Sequence, residues 1–467
     1  MNQPVDHAAL ALALYETACE THKRQDWRLA CHALAKSLKQ SLASSVAMPA
    51  PPAPVTVEAV QVAAPVMKAK APRVQGHKSF DLSARSLTQV LRLMCSVADK
   101  RNTIPIITQV LITATGDSLE FRATNLDMEI AATVEAPGVG EWQVTVNAGH
   151  LRDFLAKIDG AALVTLSAFQ GDDWQTLVVT APGVSRNMPG LAPGDFPTIL
   201  ADFAEKPAAK FYMSAADWSD GLTHVVPSIS TEETRYYLNG AFLCLAKRDG
   251  VDVLRLVSTD GHRLGLWDRP APDIAGGVAP LVQFPAKGGG MQGGAIIPHW
   301  SIKVLRSCLP YAVTVESRVS NSGARFVCGP VTLITKLIDG TFPDYQRVIP
   351  RDNQIKAGFM PDQMTAALKP LPAPKAGVRF KWSAAGINLS QRDMETGETV
   401  ESLLDNLDYQ GEALEIGFNL SYVRQALALY GDHVILRMAD PASPVLLQPA
   451  KETGTTSRLN VLMPLRV

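Results

Sequence analysis

The sequence lacks several features that mark common protein classes. Its six cysteines lie far apart, with no Cys-x-x-Cys pair and no cluster of cysteine and histidine at the spacing of metal ligands, so neither a disulfide framework nor a zinc site is predicted. No apolar run of about 18 residues is present to span a bilayer, and the N-terminus shows no basic segment followed by an apolar one. We therefore expect a cytoplasmic protein with no membrane partner, no metal and no cofactor.

An excess of either charge is also lacking. The chain has 44 Lys and Arg residues against 45 Asp and Glu residues, a formal net charge of -1. Bulk attraction to nucleic acid is therefore not expected, although a basic surface balanced by acidic ones elsewhere would leave the total unchanged. With 467 residues, 46% of them hydrophobic, the chain has room for about three domains with their own cores.

The stretch STDGHRLGLWDRP (258–270) brings together residue types found in active sites. Asp260 and His262 could act as acid and base, and Arg263 could bind an anion. Such a pair needs a nucleophile and an orienting partner, and no Gly-x-Ser-x-Gly or similar motif supplies them. A structural turn held by hydrogen bonds is the alternative. The glycine run KGGGMQGGA (287–295) lacks the Gly-Lys-Ser/Thr of a phosphate-binding loop and instead predicts a surface insertion.

Residues 1–45 predict a helical N-terminal extension, in which an apolar stripe runs from Trp27 to Leu42 at helical spacing. Residues 46–78 are rich in proline and alanine, a composition that favours an extended tether. We expect the extension to recruit a partner. The alternatives are an inert extension and self-regulation through the segment LALALY (10–15).

From residue 79 onward one pattern recurs three times: alternating inward residues, a helix start, then apolar residues four apart. It occurs in FDLSARSLTQVL (80–91), FYMSAADWSDGL (211–222) and AGFMPDQMTAAL (357–368). A second strand-to-helix unit recurs in VNAGHLRDFL (146–155), IPHWSIKVL (297–305) and FNLSYVRQAL (418–427). The runs between them predict antiparallel strands. The sequence thus predicts an α+β fold of three repeated domains, each with two helices on antiparallel sheet, over 79–206, 207–352 and 353–467.

Residues 79–467 resemble the bacterial DNA polymerase III beta subunit, the sliding clamp. The matching stretches occur in family order and are RNTIPIITQVLI (101–112), TNLDMEI (124–130), DFP (195–197), TRYYLNG (234–240), STDGHRL (258–264), KLIDGTFPDYQRVIP (336–350), EIGFNLSYV (415–423) and VLMPLRV (461–467). The resemblance implies DNA-clamp domains that form a ring as a head-to-tail homodimer. It also implies a processivity factor in DNA replication that has no catalytic residues of its own.

The resemblance further implies which residues face double-stranded DNA, encircled without regard to its sequence. By position, the DNA-binding residues are Arg101, Arg152, Arg235, Tyr236, Tyr237, Lys303 and Arg306. Where the family's second helices usually begin with Arg-Lys pairs, this chain has Gly149/His150 and His299/Trp300. We therefore expect a less basic lumen than in most members.

The loop with STDGHRL and the C-terminal tail form, by the same resemblance, a cleft for short peptides. Its partners would be the DNA polymerase III alpha subunit, the clamp loader and other DNA polymerases. By position, the cleft comprises Leu238, Thr259, Gly261, His262, Arg263, Leu264, Pro343, Arg347, Val348, Asn419, Tyr422, Val461, Met463, Pro464, Leu465 and Arg466. Apolar walls would supply affinity, and a few polar groups would orient the peptide.

Two other functions remain open on the sequence alone. A hydrolase using Asp260 and His262 would need a deep polar pocket at that loop. A specialised clamp paralogue, plasmid-borne, phage-borne or protective against a clamp-directed inhibitor, would show an altered cleft or lumen.

Overall fold

The computed structural model of the chain describes residues 80–99, 102–170, 175–199, 209–271, 293–372, 377–392, 396–405, 407–452 and 456–466. All of them lie in one structural unit, Arg73–Val467. The predictions for the helical extension (1–45), the linker (46–78) and Arg101 lie outside the described residues.

The described residues contain six α-helices, and each follows a strand, five of them directly and α5 after one residue. The helices are α1 (Ala84–Val97), α2 (Ala148–Leu155), α3 (Ala215–Val225), α4 (His299–Cys308), α5 (Pro361–Leu368) and α6 (Leu420–Leu427). Four begin at a Ser or Asn whose side chain accepts a backbone N–H of the first turn: Ser83, Asn147, Ser214 and Asn419. Helix α5 instead begins with Pro361, whose missing N–H costs nothing at that position. The two recurrent sequence units thus correspond to three pairs of helices.

Antiparallel strands make up the rest of the regular structure. The strands are β1 (Phe80–Ser83), β2 (Gln109–Thr124), β3 (Met128–Asn147), β4 (Leu163–Gln170), β5 (Gln175–Ala181), β6 (Val184–Gly190), β7 (Ala209–Ser214), β8 (Gly240–Arg248), β9 (Val251–Thr259), β10 (Arg263–Pro270), β11 (Gly294–Pro298), β12 (Thr314–Val319), β13 (Gly323–Cys328), β14 (Val331–Lys336), β15 (Ile355–Phe359), β16 (Gly377–Ser383), β17 (Gly386–Arg392), β18 (Thr399–Leu404), β19 (Asp408–Gln410), β20 (Leu414–Asn419), β21 (Val434–Met438), β22 (Val445–Pro449) and β23 (Ser457–Leu462). The end of the predicted glycine-rich insertion therefore belongs to β11.

Two sheets run without a break from one repeat to the next. A six-stranded sheet has the order β2-β3-β14-β13-β12-β7, and its β3–β14 pairing joins the first repeat to the second. A nine-stranded sheet has the order β11-β8-β9-β10-β23-β22-β21-β15-β19, and its β10–β23 pairing joins the second repeat to the third. The first and third repeats each have one further four-stranded sheet, β1-β4-β5-β6 and β18-β17-β16-β20.

The helices pack on the sheets through the apolar residues that their spacing predicts. The pairs four residues apart are all buried: Leu87 with Leu91, Trp218 with Leu222, and Met364 with Leu368. A third hydrophobic cluster lies between the second and third repeats. It contains Leu238, Phe242, Cys244, Val257, Leu264, Leu266, Ile296, Phe342, Tyr345, Leu446 and Val461. We call this cluster the seam between the second and third repeats. Its burial fixes the loop 259–263 against the C-terminal strand.

Candidate functional site

The side chain of Asp260 is used to build a turn. Its Oδ1 accepts the backbone N–H groups of His262 and Arg263 at 2.9 and 3.0 Å, and its Oδ2 accepts Arg263 Nε at 2.9 Å. Thr259 closes the turn by accepting Gly261 N–H at 3.1 Å and donating to Arg263 O at 2.7 Å. Both oxygens of this carboxylate thus accept hydrogen bonds within the turn, from the backbone and from Arg263. This arrangement is the hydrogen-bonded turn that stood as the alternative to a catalytic motif.

The turn is held directly against the C-terminal tail. Met463 N–H donates to His262 O at 2.9 Å, next to the β10–β23 pairing in which Leu264 faces Val461. Two residues later, Leu465 N–H donates to Gly417 O at 2.8 Å, so the tail also bonds to β20. The structure therefore brings the predicted loop and the predicted tail together, between the second and third repeats.

Helix α6 provides the opposite side of this site. The Arg263 guanidinium lies over the Tyr422 ring, 4.3 Å from its centroid, and Arg263 Nη1 donates to Gln425 Oε1 at 2.7 Å. The His262 ring stacks on the same tyrosine, with centroids 6.4 Å apart. Burial, with the nearby Asp260 charge, raises the pKa of Tyr422, so its hydroxyl stays protonated at neutral pH. Asn419 has a structural role here because its Oδ1 caps the helix.

The predicted cleft residues divide into a buried floor and an exposed surface. Leu238, Leu264 and Val461 are fully buried in the third cluster. Val348 and Leu465 are 43% and 39% exposed, unusual values for large apolar side chains. The other eleven predicted members are exposed or half-buried, and they are Thr259, Gly261, His262, Arg263, Pro343, Arg347, Asn419, Tyr422, Met463, Pro464 and Arg466. Apolar surface of this kind over a buried floor suits the apolar side chains of a short peptide.

Gln425 is a residue of this site that the sequence did not reveal. Its amide links Arg263 to Ser421, because Gln425 Nε2 donates to Ser421 Oγ at 3.0 Å while Oε1 accepts from Arg263. In the sequence it reads only as one polar position of an amphipathic helix. The partner is about 160 residues away along the chain, and no local pattern reports such a contact.

Of the predicted DNA-binding residues that the structure describes, three lie beside the turn and three lie on the helices α2 and α4. Arg235, Tyr236 and Tyr237 lie in a short 3-10 segment, Glu233–Leu238, beside the turn. A Cβ added at Gly261 would lie 2.7 Å from Arg235 Nη1. Arg235 also pairs with Glu232 at 2.6 Å, an acidic partner that the sequence prediction overlooked although their i,i+3 spacing was readable. The hydrogen bond to Arg235 lowers the pKa of Glu232, so this partner is ionised at neutral pH.

The remaining predicted DNA contacts lie on helices. Lys303 and Arg306 are exposed on α4, whereas Arg152 on α2 pairs with its neighbour Asp153 at 2.7 Å. Arg424, a further basic residue on α6, is half-buried. Its Nη2 donates to the carbonyls of Leu368 and Leu371 at 2.7 and 3.3 Å, at the end of α5. Arg424 is thus used to cap a neighbouring helix.

Within the described ranges, no group of three or more His, Cys, Asp or Glu side chains is placed to hold a metal ion. Across that same part of the chain, the helices are too short or too polar to cross a membrane.

Comparison with known proteins assigns all three repeats to domains of one family. Family models of the DNA polymerase III beta subunit match in order: the N-terminal domain at 79–200, the central domain at 219–344 and the C-terminal domain at 346–466. The beta sliding clamp of Caulobacter vibrioides is 37% identical over 392 residues, covering 82% of this chain and 98% of that protein. That of Pseudomonas putida is 28% identical over 400 residues, covering 83% and 100%.

Solved structures agree with the sequence relatives. The crystal structure of the DNA polymerase sliding clamp from Caulobacter crescentus matches with a TM-score of 0.73 and 35% identity, covering 83% of this chain and all of that one. A sliding clamp from Bartonella birtlesii, bound to griselimycin, matches with a TM-score of 0.73 and 28% identity, covering 84% and 100%. The chain belongs to the DNA polymerase III beta subunit family, the bacterial sliding clamps.

Proposed function

We propose that two copies of the chain close head to tail into a ring around double-stranded DNA and hold a DNA polymerase there through the peptide cleft. As a beta sliding clamp, the protein is a non-catalytic processivity subunit of DNA polymerase III. A ring raises the local concentration of the polymerase at the template without needing tight DNA contacts. This explains why a protein of DNA replication can have a formal net charge of only -1.

The observation that carries the ring is the continuity of the sheets. Adjacent repeats share a sheet, while the sheets that end in β6 and β18 leave the outer edges of these two strands unpaired within the described residues. Unpaired edge strands are ready sites for pairing with another chain. Leu403 on β18 is 69% exposed. The two edge strands also carry opposite charges, Glu401 on β18 and Arg186 on β6. A head-to-tail contact between β6 and β18 would bury this leucine and close the ring.

The proposal is tested by the mass of the protein in solution. Light scattering should give twice the chain mass of 50.2 kDa, and Leu403→Asp should shift the protein toward the monomer. The matched control is Val313→Asp, because Val313 is also highly exposed but lies before β12, away from these edges. A parent protein that is monomeric at micromolar concentration would contradict the ring.

The cleft is proposed to bind peptides of the polymerase III alpha subunit, the clamp loader and other DNA polymerases. It is supported by the contact between the turn and the tail and by the exposed Val348 and Leu465. The related sliding clamp from Bartonella birtlesii has been solved with griselimycin bound, and a ligand-binding site at the corresponding place in this chain would fit this proposal.

The domain limits (79–206, 207–352 and 353–467), the cytoplasmic location and the recruiting role of residues 1–45 stay proposals of the same kind. The comparisons favour the clamp over the hydrolase and the specialised paralogue.

Removing residues 1–77 tests the proposed recruiting role of the N-terminal extension. Loss of one co-purified partner would support recruitment, a rise in peptide affinity would support self-regulation, and loss of the dimer would contradict both.

A further inference from the structure

Helix α4 has an exposed face of unusual composition. Trp300, Lys303, Arg306 and Ser307 are exposed at spacings of three and four, whereas Ile302, Val304, Leu305 and Cys308 are buried on the other side. Trp300 is 66% exposed. Large aromatic side chains are mostly buried in folded proteins, so an indole this exposed on an otherwise well-packed amphipathic helix is unusual.

The surroundings of Trp300 are cationic. Lys303 Nζ lies 5.8 Å from the centroid of the Trp300 ring. Helix α1, which contacts α4, exposes Arg85 and Arg92, and neither helix contains an Asp or Glu residue. Across the described residues, Arg85, Arg92, Lys303 and Arg306 form no ion pair. Their charge is therefore available to an anionic ligand.

A cavity of about 370 Å³ opens beside the same helix face. Its polar lining consists of His299, Lys303, Arg306 and Ser307, and its apolar lining of Val226 and Ile302. Ammonium, guanidinium and hydroxyl groups are donors that suit phosphate oxygens. The cavity therefore offers donors for an anion next to an exposed aromatic ring.

We propose that Trp300 adds a non-ionic contact with duplex DNA on this face of α4: the indole packs on a deoxyribose next to a backbone phosphate held by Lys303 and Arg306, the two cations of α4 that the family resemblance already implies as DNA contacts. The inference rests on the proposed ring and deepens it by adding a non-ionic contact. Bases in an intact duplex are stacked on each other, so the indole meets the sugar edge of the backbone. A single strand would instead offer free base faces.

Salt dependence separates the two kinds of contact. Each phosphate neutralised by a cation contributes about -0.9 to the slope of log K against log salt, because counterions are released. A contact between an indole and a deoxyribose releases no counterion. Trp300 should therefore add affinity that is equal at every salt concentration, whereas Lys303 should add affinity that fades as salt rises.

The test uses the full-length protein and a short fluorescein-labelled duplex, with anisotropy measured over a series of potassium chloride concentrations. Trp300→Ala should weaken binding about fivefold at each concentration without changing the slope, and Trp300→Phe should restore most of the loss. Lys303→Gln should make the slope shallower by about 0.9. Tyr212→Ala is the matched control, since Tyr212 is comparably exposed but lies on a strand.

Several results would overturn the proposed Trp300 contact. They are unchanged affinity in Trp300→Ala, a change of slope in that variant, an equal loss in Tyr212→Ala, or an effect seen only with a single strand of the same sequence. Retention of the parent on closed circular DNA is measured in parallel. Its loss would count against the ring itself, whereas normal retention with an inert Trp300→Ala would count against the Trp300 contact alone.

Discussion

Arg263 lies over the ring of Tyr422, with its guanidinium carbon 4.3 Å from the ring centroid. The two residues belong to different repeats, Arg263 at the start of β10 and Tyr422 in the first turn of α6. Asp260 and Gln425 hold the same guanidinium from two other sides, at 2.9 and 2.7 Å. The contact therefore fixes the orientation of the tyrosine beside the turn, where the peptide is proposed to bind.

Replacing this tyrosine should weaken peptide binding without opening the ring. Tyr422→Ala removes an aromatic wall on which the peptide would pack, worth about 1 kcal/mol, so peptide affinity should fall by about fivefold. Titration calorimetry with a peptide from the polymerase III alpha subunit measures this. Tyr212→Ala should bind normally, and equal losses in both variants would place the peptide elsewhere.

Shortening the tail should separate peptide binding from dimer formation. Deleting Met463 to Val467 removes the bonds from Met463 to His262 and from Leu465 to Gly417, together with the exposed Leu465. Peptide binding should be lost, while light scattering still reports a dimer. Undiminished peptide affinity would show that the tail is not part of the cleft.

Alanine substitutions at two glycines should separate the effect of backbone strain from the effect of a steric clash. Gly261 and Gly250 have φ of +89° and +83°, a region that L residues rarely adopt, but only Gly261 has a near neighbour for an added Cβ, Arg235 Nη1 at 2.7 Å. Either change to Ala should cost about 1 kcal/mol in free energy of unfolding from strain. Only Gly261→Ala should also lower peptide affinity, because Arg235 must move against the turn.

Urea unfolding and calorimetry measure those two quantities on both variants. Equal peptide affinities for Gly250→Ala and Gly261→Ala would mean that the contact between Arg235 and the turn has no effect on the cleft.

Buried His224 should make the stability depend on pH. Burial lowers its pKa from 6.5 to about 4, while Nε2 contacts Leu459 O at 3.1 Å across the seam, near Arg458 and Asp220. The unfolded chain binds a proton at His224 between these two pKa values and the folded chain does not, so the contribution is complete above about pH 6.5 and is lost as pH falls toward 4. We expect a loss of about 2 kcal/mol between pH 7 and pH 5 from this group.

Urea unfolding at the two pH values measures that loss, and His224→Gln is the control because it keeps a polar side chain without the titration. The difference between pH 7 and pH 5 should be smaller in the variant by about the same amount. An identical pH dependence in both proteins would assign it to other groups.

The repeated helices were predictable because their information is local. Spacings of four residues and capping residues such as Ser83 and Asn419 occur within a few positions of each helix start. The function of the turn was readable only through the family resemblance, since the same three residues suit an acid-base site. Arg424 shows the limit of local interpretation: a basic residue on a helix surface turned out to cap another helix.

Long-range pairings could not be read from the sequence at all. Arg255 and Asp268 read as two charges on predicted strands, yet they form a buried pair with two bonds of 2.7 Å, next to Tyr345. The pairing of β10 with β23, which brings the turn and the C-terminal tail together, depends on which edges meet after the repeats have folded. Such contacts follow from tertiary packing, which local patterns do not specify.

Retention on DNA of different topology tests the central claim most directly. The protein is loaded onto closed circular DNA and, separately, onto the same DNA made linear, and each is then passed over a sizing column in moderate salt. A ring that holds DNA by topology should stay with the circle and run off the linear ends, and cutting the circle should release it. Equal retention on both forms would show that the protein binds DNA by direct contact and would contradict the account.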